Sequence, residues 1–496
     1  MVITTYTKGK NIYANASKSR RIGKRVVKER QVSLGKVIDL EKHIFQNRKH
    51  GLYKYDPETE RITELPKQEK KKSSLSCIDF GDSFFLDRLM EKLGIKEIVS
   101  SVEGIDSQSL LALILFYLEC QAPNSSASDW FEGNYASSLY PDAKMDDQRI
   151  SELLSVLGKE ETKSAILRKY YEKETFKTGI KVIIDSTGII NDIHCSFTAV
   201  CNHNGKVSTC IRLITVIREE DSKPIYFRMV PGSTPDSATL KKTIVELGKY
   251  GIQVSMALLD VGYCTASNIR RLMTMKIGFI TRLDAKTVLF RNLKKKCFDD
   301  LERKENFVRY EERFFYIRRI DDVPFCGKKI HAYVCLDKTS QAYDTIRMSE
   351  RKNIPENAQA CEELMNDGFF ILISSEEYGA DRILPQYYLR QRIEQSYDLV
   401  KNTTNIQPIR SHNESTINGH LLVSFLCQII GQEIQNTFKG EHLSQERLLL
   451  SLRNQKAEVY PAEILPLETK RIATLAYKKM KIEVPETIKL RPKKKM

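Results

Sequence analysis

Apolar residues change their spacing several times along this chain, and each change marks a different kind of element. Residues 1–72 carry short alternating runs, such as Asn11–Ser17 and Arg25–Ile38, broken by Gly23, Gly35, Gly51 and the Asp56-Pro57 pair. Alternation between turn residues predicts strands, so this stretch reads as a small β-rich domain. Lys67–Ser74 (KQEKKKSS) is a charged linker. From 75 to 176 the period lengthens: Phe84–Leu93, Ser107–Glu119 and Gln148–Leu157 place apolar residues three and four apart. That spacing predicts amphipathic helices, the third of them capped by Asp146-Asp147.

The texture changes again at Gly179. Lys181–Ile190 (KVIIDSTGII) is a β-branched run, as expected of a strand buried on both faces. Phe197–Cys201, Cys210–Arg218 and Ile225–Val230 follow as strands, Ser237–Tyr250 as a helix, Val254–Leu259 as a strand, Ala266–Met275 as a helix and Ile277–Leu283 as a strand. This order predicts an α/β core with an antiparallel opening and a parallel close. Ala285–Glu377 breaks the rhythm with charged, aromatic, strand-like pieces (Phe307–Arg318, His331–Leu336, Phe369–Ser374). A helix is expected from Pro385 through Val400 and another at Leu421–Phe438. The tail, 441–496, reads as helical, with one helix at Ser444–Asn454 and a basic RPKKK end.

Composition sharpens this picture through charge. The 496 residues carry a net charge of +15, from 79 Lys and Arg against 64 Asp and Glu. Residues 1–72 hold 19 of the basic and 8 of the acidic residues, a net of +11, so the excess sits in an N-terminal module. A basic module implies a polyanionic partner. Met1–Lys28 is polar and basic, without the apolar stretch of a signal peptide. Leu110–Leu118 and His420–Ile430 fall short of the roughly 20 residues a membrane span needs. Eleven scattered cysteines read as reduced thiols. The expectation is a cytoplasmic protein with no membrane association, and nucleic acid as the polyanion. His194, Cys195, Cys201 and His203 straddle a predicted strand whose side chains alternate faces, which argues against a shared metal. His420 reads as a polar residue of the core.

Three carboxylates need an explanation. Asp185 lies inside the apolar run KVIIDSTG, where a bare charge is costly unless it is paired or binds a cation. Asp260 follows Met256–Leu259 at the carboxyl end of a strand, where open α/β sheets build their sites. Glu394 lies on the helix expected from Pro385. At about 100° per residue, Tyr387, Arg390, Glu394 and Lys401 share an arc of roughly 60°, beside an apolar arc of Leu389, Ile393 and Val400. A carboxylate flanked by cations on one face suits chemistry on phosphates with a metal.

These residues resemble the DDE transposases of bacterial insertion sequences, in the subgroup with a Y-x2-R-x3-E-x6-K signature. Tyr387, Arg390, Glu394 and Lys401 match every spacing of it. DST at Asp185–Thr187 resembles the family's first-aspartate motif and DVGY at Asp260–Tyr263 its second. PGSTPD (Pro231–Asp236) and INGHLLVSFL (Ile417–Leu426) also look like the family, and the resemblance covers about residues 75–440.

The resemblance implies a ribonuclease-H-like catalytic core interrupted by a β-rich insertion. With the elements above, it suggests six segments: 1–72, basic, β-rich and DNA-binding; 75–176, helical and DNA-binding; 177–284, the first part of the core; 285–377, the insertion; 378–440, the second part, with the glutamate helix; and 441–496, a helical tail. It implies Asp185, Asp260 and Glu394 as catalytic ligands of two divalent ions, Mg2+ or Mn2+, with Tyr387, Arg390 and Lys401 on DNA phosphates. Three carboxylates are hard oxygen donors suited to those ions. The implied activity is metal-dependent cleavage at transposon ends and transfer of the 3′-hydroxyl into target DNA. The implied partners are terminal inverted repeats, target DNA and a second copy in a homodimeric synaptic complex, on the nucleoid of a bacterial cytoplasm. Some members of the subgroup hold a flipped base with an insertion-domain tryptophan. The one tryptophan here is Trp130, in the helical region, which leaves Phe314, Phe315 or Tyr316 for such a role. The alternatives are a host nuclease on the same core and a domesticated or decayed DNA-binding protein.

Overall fold

The computed structural model describes the chain apart from residues 9–10, 24, 66–75, 175–178, 192, 194, 204–205, 344–367, 399–408, 410, 412 and 491–496. The chain divides into two units, Met1–Ser74 and Leu75–Met496. In the first, six strands (Val2–Lys8, Asn11–Ile22, Arg25–Asp39, Ile44–Asn47, Gly51–Tyr55 and Ile62–Glu64) form a sheet in chain order, each antiparallel to the next. Ala14, Ala16, Leu34, Phe45, Tyr53 and Tyr55 make its small core. Gly23 and Gly51 sit at hairpin turns with positive φ. Gly35, expected at a turn, lies instead inside a strand beside a bulge, where a Cβ would collide with the Gln46 carbonyl.

The second unit is built on a mixed sheet. Its central strand, Ile180–Ile190, pairs antiparallel with Lys206–Arg218 and parallel with Val254–Leu259, which in turn pairs parallel with Gly278–Arg282. The antiparallel opening and parallel close are those predicted from the order of elements. The strands of 285–377 do not form a sheet of their own. Phe369–Ser374 pairs with Gly278–Arg282, and Lys328–Asp337, Arg313–Phe325 and Phe307–Tyr310 follow outward, so they extend the same sheet. A helix, Val288–Cys297, occupies ground where only strands were expected.

Alternation along the central strand sends Val182 and Ile184 to one face and Ile183 and Asp185 to the other. Val182 and Ile184 join a core shared with helix Asp236–Lys249 and the helices of 81–173; Ile183 joins a second cluster with Met256, Leu258, Ile280 and Ile393. Both faces are covered, which is why the run is apolar throughout.

Helix Glu414–Thr437 crosses helix Asp147–Leu157 at backbone contact. A Cβ on Gly419 would collide with the Leu154 carbonyl, and one on Gly158 with the Ser415 carbonyl. The glycine of INGHLLVSFL is thus a helix-crossing residue. His420 packs its ring on Tyr117 at 4.9 Å. The tail is not purely helical. Strands Lys456–Val459, Glu463–Pro466 and Ile488–Lys489 join Ser76–Asp79 in a second sheet, between and beyond helices Gln445–Arg453 and Arg471–Met480. Runs of four residues or fewer carry no readable period. Among the cysteines, Cys77, Cys120, Cys195, Cys264, Cys297, Cys326, Cys335 and Cys427 are free thiols, whereas Cys210 is disulfide-bonded, against the expectation of thiols throughout. Among the described residues no helix is long and apolar enough to cross a membrane.

A buried polar cluster ties this second sheet to the helices. Asn134 Nδ2 and Trp130 Nε1 donate to Glu119 Oε2 at 3.1 and 3.3 Å. Ser83 Oγ lies 2.6 Å from both Glu119 Oε1 and Asn134 Oδ1. Asn134 Oδ1 also accepts the Ala136 N–H, so it is an acceptor. A hydroxyl has one proton and can donate to only one of its two neighbours. Both short contacts are satisfied if Glu119 is a carboxylic acid that donates to Ser83. Burial, reinforced by the nearby Asp82 carboxylate, raises the Glu119 carboxyl well above its ordinary range.

Two predictions follow from this packing. Gly419→Ala forces the helices apart and should lower the unfolding free energy by about 1–3 kcal/mol, the usual range for overpacking, as measured by urea titration. Glu119 is raised in the folded state, so its contribution to stability is present at acid pH and is lost as pH rises above the ordinary carboxylate range. Glu119→Gln keeps the donor to Ser83 without the ionisation. Unfolding free energies from pH 5 to 9 should therefore fall less steeply in that variant than in wild type.

Candidate active site

The parallel ladder between the central strand and its neighbour ends with Ile184 opposite Leu259. The next residue on each strand is Asp185 and Asp260, so the two carboxylates stand side by side. They share a sheet face with Ile183 and Leu258, one alternation back along each strand. Ile393 is fully buried against that apolar pair. This contact brings the polar residues of the Ile393 helix over the two aspartates.

The guanidinium of Arg390 lies among all three predicted carboxylates. Its Nη1 is 3.1 Å from Asp185 Oδ2, and its Nη2 is 3.7 Å from both Asp260 Oδ1 and Glu394 Oε1. Arg390 also sits over the Tyr387 ring, 5.9 Å from its centroid. Burial works against the Arg390 charge, but Asp260 and Asp185 more than offset it, and its pKa is raised. Burial pushes Asp185 up to about 7, opposed by Arg390 and by the Ser186 N–H that donates to it at 2.8 Å. Tyr387 is pushed up to about 12, chiefly by burial.

The four-residue signature does not ride one continuous helix. Helix Ile383–Tyr388 ends before Leu389, and helix Gln391–Asp398 begins after Arg390. Across the break the N–H of Arg390 bonds the Tyr387 carbonyl at 3.1 Å and that of Ile393 bonds the Arg390 carbonyl at 3.0 Å, both three residues back. The chain is tightened there to a 3₁₀ turn. Lys401 and Val400 lie outside the described residues. The Glu394 side chain is 58% exposed, whereas that of Asp185 is 12% exposed, so the site is open on the glutamate side. Of the aromatics proposed for base stacking, Phe315 is fully buried, while Phe314 is exposed and stacks on Phe307. Trp130 is tied to Glu119 and Phe116.

A layer behind the aspartates draws Ser186, Asp236 and Tyr263 from the DST, PGSTPD and DVGY motifs, in which sequence alone assigned them no role of their own. Asp236 Oδ1 accepts from Ser186 Oγ and from Arg212 Nη1. Thr215 pairs across the ladder with Asp185 and is 1% exposed. The Tyr263 and Tyr397 hydroxyls are buried beside this layer, that of Tyr263 facing Thr239 and Ser186 and that of Tyr397 facing Thr215. Burial raises both pKa values, with Asp185 and Asp236 adding to it. Arg212 carried the same signal as Asp185, a charge inside an apolar run (CIRLIT). The glycine of DVGY also has a local cause, since a Cβ on Gly262 would stand 2.7 Å from Asp236 Oδ2.

Among the described residues, no three His, Cys, Asp or Glu side chains stand close enough together to hold a metal ion. The donor set nevertheless fits a hard divalent cation, because all three groups are carboxylates. They already converge on one centre of positive charge.

The fold and site define an α/β protein with a carboxylate centre at the carboxyl ends of parallel strands. A family model described as the transposase DDE domain matches residues 177–430, just over half of the chain. The chain belongs to that family. No curated protein matches it by sequence. Among solved structures it is similar to the piggyBac transposase in a cryo-EM synaptic complex with hairpin DNA, at 11% identity, over 75% of this chain and 78% of that one, with a TM-score of 0.41. At that score the similarity bears on nothing else in the molecule.

The fit of Gly262 against Asp236 is open to a direct check. Gly262→Ala should lower stability by about 1–3 kcal/mol. In a cycle with Asp236→Ser the two changes should couple by at least about 0.5 kcal/mol; additive effects in urea melts would mean that they do not touch.

Proposed function

We propose that the protein is an active DDE transposase of the insertion-sequence subgroup bearing the YREK signature. It cleaves DNA at the ends of its element and transfers the 3′-hydroxyl into target DNA. On this reading the Ile180–Ile190 sheet is a ribonuclease-H-like core, 285–377 its insertion, and 1–72 and 75–176 its DNA-binding parts. The partners are terminal inverted repeats, target DNA and a second copy, on the nucleoid of a bacterial cytoplasm.

One observation carries the reading. Three carboxylates far apart in sequence meet at a single guanidinium, in the chain order Asp, Asp, Glu that the family uses. Asp185, Asp260 and Glu394 would hold the divalent ions. Bound there, Mg2+ or Mn2+ supplies activation of water or a 3′-hydroxyl and neutralises charge on the leaving oxygen.

The chain's own residues do the rest. Asp185, packed against the core, fixes the position of the site, while the exposed Glu394 stands on its open side, where DNA would enter. Arg390 can exchange its carboxylates for a phosphate, which it grips bidentately. Its seat over Tyr387 keeps the guanidinium within reach of both. Lys401 adds a point charge for the backbone.

The test is Mg2+-dependent cleavage of DNA carrying the inverted repeats that flank the gene. Asp185→Asn should reduce cleavage by more than about 100-fold, beyond the 10–100-fold typical of a residue that only supports a ligand. Its affinity for the same DNA should stay within about threefold of wild type. A variant that cuts at the wild-type rate removes Asp185 from the chemistry. Wild-type protein that binds these ends without cutting them supports the DNA-binding alternative.

A further inference from the structure

The hairpin of Asn11–Ile22 and Arg25–Asp39 runs well past the core of its own unit. Ala14, Ala16 and Leu34 are buried, but every residue of Lys18–Gly23 and Arg25–Gln31 is exposed. At about 3.4 Å per residue, the strand reaches roughly 20 Å beyond Ala16, its last core residue, to Ile22. A two-stranded ribbon with no apolar face is at best marginally stable in water. This one also carries internal repulsion, since Lys18 stands directly opposite Arg30 in the ladder, and like charges so placed are destabilising. Among the described residues, the Arg30–Glu60 ion pair is what the extension gives the rest of its unit.

The ribbon's charge is distributed over both faces. Residues opposite one another share a face, so Lys18, Arg30, Arg20 and Arg25 lie on one side, with Arg21 and Lys28 on the other. Arg20 lies 4.0 Å from Glu29, and Arg30 is paired with Glu60 at 2.9 Å. Lys18, Arg21, Arg25 and Lys28 have no ion pair among the described residues. The distal end adds exposed apolar side chains: Ile22 at 64%, Val26 at 69% and Val27 at 48%.

We propose that this β-ribbon enters the major groove of duplex DNA, its two cationic faces reaching the phosphates on opposite walls and its exposed Ile22, Val26 and Val27 meeting base edges. The dimensions select the groove. A ribbon with side chains on both faces is about 10 Å thick; the major groove is about 12 Å wide and the minor groove about 6 Å. The repulsion between Lys18 and Arg30 is relieved against a polyanion. The exposed Ile22, Val26 and Val27 suit thymine methyl groups, which only the major groove displays. The inference rests on the transposase reading and adds the element and the groove through which the N-terminal unit holds DNA.

The experiment uses the full chain and a labelled mixed-sequence duplex of about 30 base pairs, with binding followed by anisotropy over a range of salt concentrations. The triple variant Arg21→Ala, Arg25→Ala, Lys28→Ala should bind about 10–100-fold more weakly at low salt. Its slope of log affinity against log salt should be shallower by about 2–3, since each lost phosphate contact removes about 0.9. A charge-keeping variant, Arg21→Lys with Arg25→Lys, should retain the wild-type slope. That control separates charge from folding of the hairpin. Wild type should protect guanine N7 from methylation, and the triple variant should not.

A wild-type slope in the triple variant, or N7 protection that survives in it, overturns the proposal. So does binding of duplex RNA as tight as DNA, because the deep, narrow major groove of RNA excludes such a ribbon. Tighter binding to phosphatidylserine vesicles than to DNA overturns it as well. If wild type cuts its ends while the ribbon variants bind normally, only this inference falls. If wild type cuts no DNA, the transposase reading falls whatever the ribbon binds.

Discussion

Asp185, midway along its strand, and Asp260, just past the end of the parallel neighbour, stand side by side where the two strands stop pairing, and a third carboxylate is laid over them by a helix. Strand spacing alone sets Asp185 and Asp260 about 5 Å apart, where two unit charges repel by roughly 3 kcal/mol at an effective dielectric of about 20. The arrangement holds together because Arg390 contacts all three groups. Everything around the site serves that contact. The 3₁₀ tightening at Leu389–Arg390 drops the guanidinium between the strands, and the fully buried Ile393 fixes the depth of the helix. One cation does not cancel three anions, so the site retains an appetite for positive charge. Burial, opposed by the neighbouring arginine, raises Asp185 to about 7.

The glutamate helix is in turn seated by the long helix Glu414–Thr437. Gln428 donates to Ser396 Oγ and contacts the Ser396 carbonyl, two residues beyond Glu394. The same long helix is pinned through Gly419 to Asp147–Leu157. A substitution at that crossing can therefore reach the active site through a single rigid element, with no change in any residue that touches DNA.

Much of this was legible in the sequence, and the exceptions have physical causes. Asp185 and Asp260 were readable because a charge in a β-branched run has few cheap explanations. The core strands were readable because burial on both faces leaves an uninterrupted apolar run. The break at Leu389–Arg390 was not, since a helical wheel assumes one axis and a 3₁₀ turn shifts the phase without altering composition. Gly35 misled for a related reason: a strand bulge and a turn both call for positive φ. The strands of the tail were too short to announce themselves. The pairing of Phe369–Ser374 with Gly278–Arg282 joins residues about 90 apart, and no local pattern encodes that register.

The polar layer behind the aspartates marks the limit of reading residues singly. Ser186, Thr215, Tyr263 and Asp236 are unremarkable by type, and each would be an ordinary buried polar group elsewhere. Their meaning comes from register: Thr215 lies opposite Asp185, and Ser186 turns to the other face to meet Asp236 and Arg212. The buried Tyr263 and Tyr397 hydroxyls face the Ser186, Thr239 and Thr215 side chains and lie in the field of Asp185 and Asp236. Their position beside the most buried of the three carboxylates is where a change in the charge of Asp185 would be felt first.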